Sequence, residues 1–415
     1  MNSEISVVTE IKKKIDFIGL INSKTPIKRI DVNTYLGICP FHNKVNTSKN
    51  PTMFIDAKKQ VYFCSECGKR GDLFDFLTQL NSTDVDTEIK NLCNHHNIEF
   101  EVSASNEMKR LFQMNKDAGV FFCKQLYLKD KKCLDYLRND RHLSDETIAK
   151  FQIGYAPNTW SGLFDYMSSL GYSTEELIKG SLISKTKKGN YIDFFIDRAI
   201  FPFFDVNGNI IGFGGRTLSN DTRKYLNSRS TTCYRKNEFL FSLNFAKNSI
   251  VRRKYIILAE GNVDVITLHQ AGFTNSVASC GTALTLEQCK IIAGYTKTAV
   301  ICYDSDEAGQ NATLKAISLL NSVGINCNVV QMDKNQAKDP DELISNYGAN
   351  AFKKVINNSI PSLRFVLNKL AQDVNLNKHS SESDRTRFFS KVYKYISENK
   401  IKDEDVIKEL KNYDI

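Results

Sequence analysis

Tyr255-Ile-Ile-Leu-Ala259-Glu260-Gly261 is the stretch that decides how this chain folds. An unbroken apolar run of this kind suits a strand covered on both faces, and it stops at an acid and a glycine. A helix is predicted next, through Asp264, Ile266 and Leu268. The pattern then repeats. Ser276-Val-Ala-Ser279 reads as a second short strand reaching Cys280-Gly281-Thr282. Thr298-Ala-Val-Ile-Cys-Tyr303 is a third, ending at Asp304-Ser305-Asp306, and Glu307-Ala-Gly-Gln-Asn-Ala312 opens another helix. Asn326-Cys-Asn-Val-Val330 is a fourth and leads to Asp339-Pro340-Asp341. Successive βα units build a parallel sheet with right-handed crossovers, and groups at the carboxyl ends of its strands converge on one crevice.

Glu260, Asp304, Asp306, Asp339 and Asp341 are therefore expected along one edge. Carboxylates gathered in that way repel one another unless a cation neutralises them. Hard oxygen ligands without histidine or thiolate select Mg²⁺ or Mn²⁺, and metals held so typically grip phosphates. The plainer alternative is that each acid caps the helix that follows it. One aspartate would fit that alternative; a whole set at matching topological positions fits the metal.

A second constellation lies near the N-terminus. Cys39-Pro-Phe-His42 and Cys64-Ser-Glu-Cys67 are two ligand pairs, each with two residues between the ligands. That spacing lets a tight turn aim both side chains at one ion, and the 21 residues between the pairs suffice for a hairpin. A closed Cys₃His shell suits one tetrahedral Zn²⁺ that builds structure and performs no chemistry. Beyond it, Gly71-Asp72-Leu-Phe-Asp-Phe-Leu77 starts a helix, with glycine at the turn and acids in the first turn.

Between the two sites, Ile211-Gly-Phe-Gly-Gly-Arg216 ends a strand in a loop whose backbone can approach a ligand closely. From Arg216 to Lys236 the cations are Arg216, Arg223, Lys224, Arg229, Arg235 and Lys236, against the single acid Asp221, with Tyr225 and Tyr234 interleaved. Cations for phosphates beside rings for sugar and base are the footprint of a nucleic-acid site. Charge alone admits a solvated face equally well.

The 415 residues imply two to four domains, with the 41 % hydrophobic and 25 % charged content of a soluble globular protein. No apolar run approaches the roughly 20 residues needed to span a bilayer, so no membrane partner is expected and the chain reads as cytoplasmic. Three of the eleven cysteines serve the zinc set, and Cys280, Cys302 and Cys327 lie in apolar surroundings where reduced thiols pack well. The net charge of +9 favours a polyanionic partner. The chain divides into a zinc ribbon at 1–100, a helical, hinge-like linker at 101–120, a mixed α/β part at 121–252, the parallel sheet at 253–338 and a helical segment at 339–415. The fold class is α+β with α/β, in several domains.

In order along the chain, the Cys-x-x-His and Cys-x-x-Cys ribbon, Gly212-Phe-Gly-Gly-Arg216, Lys224-Tyr-Leu-Asn-Ser228, Glu260-Gly-Asn-Val-Asp264 and Asp304-Ser-Asp306-Glu-Ala-Gly309 resemble the bacterial DnaG-type primases. Arg141-His-Leu-Ser144, Phe151-Gln-Ile-Gly-Tyr-Ala-Pro157 and Cys280-Gly-Thr-Ala-Leu-Thr285 fit as well. The resemblance runs from about residue 35 to about residue 345. It implies a CHC2-type zinc-binding domain followed by an RNA-polymerase core around a TOPRIM fold, making RNA primers from ribonucleoside triphosphates on single-stranded DNA. By the same resemblance Glu260, Asp304 and Asp306 are the catalytic, metal-binding acids, and Asp264, Asp339 and Asp341 are further acidic positions. Arg216, Lys224 and Lys236, with Asn227 and Arg141, form the ridge for template and nucleotide, and the zinc ribbon touches single-stranded DNA.

Three departures are visible. The zinc pairs are spaced a few residues wider than in that family, and Ser305 stands where glycine is usual between the two aspartates. The domain with which such primases bind a replicative helicase is not seen within these residues. A TOPRIM nuclease or topoisomerase, or a non-catalytic zinc-ribbon DNA-binding protein, are the rival readings. No Gly-x-x-x-x-Gly-Lys-Ser/Thr loop of a fused helicase occurs. His95, His96, His142 and His269 are read as surface or helix-associated residues, and Trp160, the one tryptophan, as core.

Overall fold

The computed structural model describes residues 11–42, 51–83, 85–95, 102–128, 131–219, 223–281, 283–333, 335–377, 379–399, 401 and 403–411. His96, Asp221 and Thr282 lie outside the described residues. The chain falls into two compact units, Met1–Glu107 and Met108–Ile415. Among the described residues no helix is long and apolar enough to cross a membrane.

The first unit is built on an antiparallel sheet of β1 (Ile27–Arg29), β2 (Thr34–Gly37), β3 (Met53–Asp56), β4 (Val61–Cys64) and β5 (Arg70–Gly71), paired in that order. Strands β3 and β4 alternate buried with exposed residues. Met53, Ile55, Tyr62 and Cys64 therefore face a core with Ile11, Phe17, Ile21 and Phe76, while Phe54 and Phe63 face water. The helix Leu73–Asn81 starts as its sequence demands. Asp72 Oδ1 accepts from the Phe74 and Asp75 amides, and Asp75 Oδ2 accepts from the Asp72 amide, closing a capping box. Lys12 Nζ ties Asp72 Oδ2 at 2.7 Å.

The helix Val102–Leu126, most of which belongs to the second unit, covers the stretch expected as a linker, but it is no free hinge from Leu111 onwards. Leu111, Met114, Ala118, Phe121 and Phe122 are buried among Ile200, Phe204 and Phe213. A four-stranded antiparallel sheet follows from β6 (Gly154–Ala156), β9 (Arg198–Phe204), β10 (Ile210–Thr217) and β11 (Tyr225–Asn227), in the order β11-β10-β9-β6. A separate hairpin joins β7 (Ile183–Lys185) to β8 (Tyr191–Asp193).

The apolar run at residues 255–259 forms β12 (Ile256–Ala259), which shares its sheet with β13 (Ser276–Ala278), β14 (Thr298–Ile301) and β15 (Asn326–Val329). All these pairs are parallel. Ile257 and Ala259 enter one hydrophobic cluster and Ile256 and Leu258 another, so β12 is covered on both sides, as its unbroken apolar run requires. One strand was not legible: β16 (Ile360–Pro361) adds antiparallel to β15 within the segment expected to be wholly helical. Elsewhere in that segment the described helices Ser362–Asp373, Glu382–Asn399 and Asp403–Leu410 pack around Leu367, Phe388, Val392 and Val406.

Candidate active site

In the first unit, Cys39, His42, Cys64 and Cys67 bring their ligand atoms within 4.8 Å of one another, the one set of three or more such side chains so gathered among the described residues. Cys39 Sγ and Cys67 Sγ are 3.8 Å apart. Two thiolates on a tetrahedral Zn²⁺, each about 2.3 Å from the ion, would stand about 3.8 Å apart. His42 Nε2 lies 3.2 Å from Cys64 Sγ. Burial pushes the Cys39 thiol up to about 12, whereas at Cys64 burial is outweighed by the Cys67 amide and the Thr52 hydroxyl, and its value falls to about 6. The donor set fits the ion, which would draw all three thiols to their ionised form.

In the second unit, a hollow of about 710 Å³ opens at the carboxyl ends of β12 and β14. Glu260, one residue past β12, directs Oε1 at the backbone N–H of Asp304, which donates to it at 3.0 Å. Asp306 caps the helix Glu307–Ser322 by accepting from Gly309 N at 2.8 Å, and Asp339 caps Pro340–Asn357 by accepting from Glu342 N at 2.8 Å. Capping thus holds for these two acids, but it engages one oxygen of each; both residues line the hollow beside Glu260 and Asp304. Gly309 is required where it stands. A methyl group there would meet the Asp304 carbonyl oxygen at 2.2 Å and Glu260 Oε1 at 2.9 Å.

Electrostatics follow from this crowding. Burial, then the charges of Glu260, Asp339 and Asp306, push Asp304 up to about 7. Glu260 is raised by burial and by Asp306 and Asp339, against the opposing Asp304 amide. Asp339 is raised by burial as well. Asp264 accepts from Gly261 N at 3.0 Å and is raised well above the usual carboxylate range, by burial and then by the neighbouring acids. Carboxyl groups that resist ionisation while facing a common hollow would ionise readily beside a bound cation.

Cations face them. Of the basic run, Arg216 and Lys224 line the hollow, with Asn227 between them and the Cys280 carbonyl, to which its Nδ2 donates at 3.0 Å. Lys236 is half-buried and is not part of the lining. Arg229 instead lies over the Phe194 ring, and Arg235 pairs with Glu238. Tyr225 lines the hollow, but Tyr234, expected to serve a nucleotide, is fully buried against Phe203 and Phe239. Lys224 is pushed down, first by Arg216 and then by burial. Lys338, which no sequence pattern marks, joins the lining.

Asp341 belongs to the hollow but is spoken for: one oxygen accepts from Arg141 at 2.8 Å and the other from Thr267 Oγ1 at 2.6 Å. Arg141 in turn donates from Nε to the Tyr136 hydroxyl at 2.7 Å. Tyr136 was missed in the sequence. It opens a π-helical turn, Tyr136–Asp140, closed by Arg141 N donating to the Tyr136 carbonyl at 3.1 Å. Its ring also lies 5.6 Å from the Arg216 guanidinium, with Tyr225 at 5.3 Å on the same cation. No pattern of residue types marks such a turn. The tryptophan expected in the core, Trp160, is 70 % exposed, whereas His269 is buried in the core, where its Nε2–H donates to the Ser276 carbonyl at 3.0 Å and lies 3.1 Å from Ser242 Oγ.

A parallel sheet with acids at its strand ends, opposed by a basic ridge and accompanied by a Cys/His ribbon, defines a divalent-metal-binding, Toprim-type enzyme acting on nucleic acid. Residues 3–108 match the family described as CHC2 zinc finger, 121–247 the DNA primase catalytic core N-terminal domain, and 257–344 the Toprim-like family. DNA primase of Clostridium acetobutylicum is 34 % identical over 99 % of this chain, which covers 69 % of that protein. The Aquifex aeolicus primase zinc-binding and RNA polymerase domains match with TM-score 0.59 and 27 % identity, over 95 % of this chain and 97 % of that one. A DnaG primase catalytic domain bound to ssDNA matches with TM-score 0.62 and 30 % identity, over 71 % of this chain and 94 % of that one. The chain belongs to the DnaG-type DNA primase family: it is a nucleotidyltransferase, a template-directed RNA polymerase that makes primers for DNA replication.

Proposed function

We propose that Glu260, Asp304, Asp306 and Asp339 hold Mg²⁺ or Mn²⁺ and that ribonucleoside triphosphates are joined in the hollow they line. The carrying observation is the Glu260 Oε1 to Asp304 N bond of 3.0 Å, which fixes acids from two strand ends side by side. A divalent cation bound there would neutralise the triphosphate and polarise the 3′-hydroxyl, whose oxygen bonds to the α-phosphorus as the bridge to the β-phosphate breaks and pyrophosphate leaves. The acids act as ligands, not proton donors. Arg216 and Lys224 bind phosphate oxygens in the hollow, and Lys338 does so from beside Asp339, whose carboxylate its Nζ approaches to 4.0 Å. Asp264 stays within the fold and fixes the turn after Glu260 through the Gly261 amide. Asp341 serves by holding Arg141 at the rim.

The first unit reads single-stranded template in this proposal. Across its sheet, Lys28, Leu36, Phe54, Phe63 and Arg70 stand in register on one face, two exposed rings with a cation at each end. Rings for bases and cations for phosphates are what single-stranded nucleic acid requires. A replicative helicase is a further expected partner, with no surface assigned to it.

The test is incubation with ribonucleotides, Mg²⁺ and single-stranded DNA of defined sequence, with Asp304→Asn as comparison. Labelled oligoribonucleotides are expected from the wild type and none from the folded variant. A folded Asp304→Asn protein that primes at the wild-type rate overturns the assignment.

A further inference from the structure

We propose that Arg198 is a positioning residue for primer synthesis: from within the core it fixes the backbone behind two phosphate-binding cations, Arg216 and Lys224. The proposal rests on the role given to those cations above and adds the group that holds them together. Arg198 is the one charged residue of β9, a strand buried along its whole length, and is itself 2 % exposed. A buried charge is costly unless hydrogen bonds satisfy it, so its partners carry meaning. Nη1 donates to the Gly215 carbonyl at 3.3 Å and to the Arg223 carbonyl at 3.0 Å. Each carbonyl stands immediately before one of the cations, Gly215 before Arg216 and Arg223 before Lys224.

Strand register lets one side chain reach both. Arg198 pairs with Thr217 of β10, and Gly215 pairs with Ile200, two residues further along β9. On the other side of β10, Arg216 pairs with Tyr225, and Thr217 N donates to the Lys224 carbonyl at 3.1 Å. From β9 to β11 is two strand spacings, about 10 Å, so the Arg198 side chain has to run past β10. Gly215 gives it the room. A methyl group there would meet Arg198 Cδ at 3.0 Å and Phe195 Cδ1 at 2.7 Å. The last glycine of Gly212-Phe-Gly-Gly-Arg216 is thereby accounted for: the arginine stem occupies the place of its side chain.

The arrangement answers an electrostatic problem. Arg216 and Lys224 are like charges close together, and the Lys224 ammonium is pushed down first by Arg216. Such neighbours tend to part, each turning to water. Phosphate oxygens in the hollow need both at once. Tying two main-chain carbonyls to one guanidinium sets the spacing of the cations before a nucleotide arrives, which spares the cost of ordering them on binding.

Primer synthesis on single-stranded template, followed over a range of ribonucleotide concentrations with Mg²⁺ in excess, tests the role. Arg198→Met is expected to raise KM about tenfold, the effect of losing one hydrogen bond to a charged group, with kcat much less affected. Arg198→Lys, which keeps the charge without the planar group, should fall between that variant and the wild type. A merely structural arginine would instead lower the folded fraction, and with it kcat, at unchanged KM. Combining Arg198→Met with Lys224→Gln should raise KM by less than the product of the single effects, because the first acts through the second. Gly215→Ala crowds the stem but keeps the guanidinium; it should raise KM in the same way, and it takes the place of Arg198→Met should that variant not fold. Wild-type KM in folded Arg198→Met or Gly215→Ala, or a double variant equal to the full product, overturns the positioning role while leaving Lys224 as a phosphate ligand. Wild-type KM in Lys224→Gln overturns both.

Discussion

Arg141 and Asp341, 200 residues apart in sequence, meet at 2.8 Å at the rim of the acidic hollow. The pair joins the start of the second unit to the helix that follows the parallel sheet, and neither side chain is well hydrated, at 22 % and 10 % exposure. Arg141→Met leaves a buried carboxylate with only Thr267 for company. Its expected cost is about 2–4 kcal/mol in chemical denaturation. Adding Asp341→Leu should restore most of that stability without restoring primer synthesis. If Arg141→Met unfolds at the wild-type midpoint, the pair does not bind the two elements together.

Tyr136 separates two roles within one side chain. Tyr136→Phe keeps the ring beneath Arg216 but removes the acceptor for Arg141 Nε. Losing one hydrogen bond to a charged group, about 1.5 kcal/mol, should lower primer synthesis about tenfold. Tyr136→Leu removes both interactions and should fall further, mainly through weaker nucleotide binding seen as a raised KM. Equal activity of the two variants would show that the ring contributes nothing.

Gly309→Ala, in the first turn of its helix, replaces glycine by a better helix former and would ordinarily stabilise by up to about 1 kcal/mol. Here the new methyl would press on the Asp304 carbonyl at 2.2 Å and on Glu260 Oε1 at 2.9 Å. The expected result is lower thermal stability together with loss of primer synthesis. A stabilised, active variant would mean that the two acids are not held as tightly as the structure indicates.

Asp304 makes stability depend on pH in a specified direction. Its carboxyl is raised, by burial first, to about 7, so between about pH 4 and pH 7 the folded protein keeps a proton that the unfolded chain releases. Without divalent metal, stability therefore falls as pH rises through that window, and the penalty is complete above it. Mg²⁺ should raise Tm more at pH 8 than at pH 6, and metal-free Asp304→Asn should lose less stability over the same range. An Mg²⁺ shift of equal size at both pH values contradicts the assignment.

Cys64→Ser, or chelation, should unfold the first unit, because such a metal supplies much of a small ribbon's folding energy. Far-ultraviolet dichroism and zinc content should fall together. Extension of a pre-annealed primer should survive better than de novo initiation; equal loss of both would contradict a template-reading role for the ribbon.

Much of this was legible in the residues. The apolar run 255–259 and its successors produce strands because they have no polar face to show to water, and their acids fall at one edge because parallel crossovers place every carboxyl end on the same side. The ribbon was legible because ligand spacing is itself geometry. What escaped is set by tertiary packing. Tyr234 and Tyr225 look alike in sequence, yet one fills the core against Phe203 and the other faces the hollow. Trp160 lies outside the core in a segment fastened to β8 by the backbone bond from Asp193 N to its carbonyl, and hydrophobicity alone does not predict that outcome. Strand β16 is two residues long, too short for any period to declare itself.

The π turn at Tyr136–Asp140 has a consequence for sequence change at this spot. Its closing bond, from Arg141 N to the Tyr136 carbonyl, spans one residue more than a regular helical turn. Excising a single residue between Leu137 and Asp140 would let an ordinary helix form, with no local penalty that folding would reject. The same bond from Arg141 N to the Tyr136 carbonyl would then close a regular turn, so the smallest possible deletion here should spare both the fold and the reach of Arg141 to Asp341.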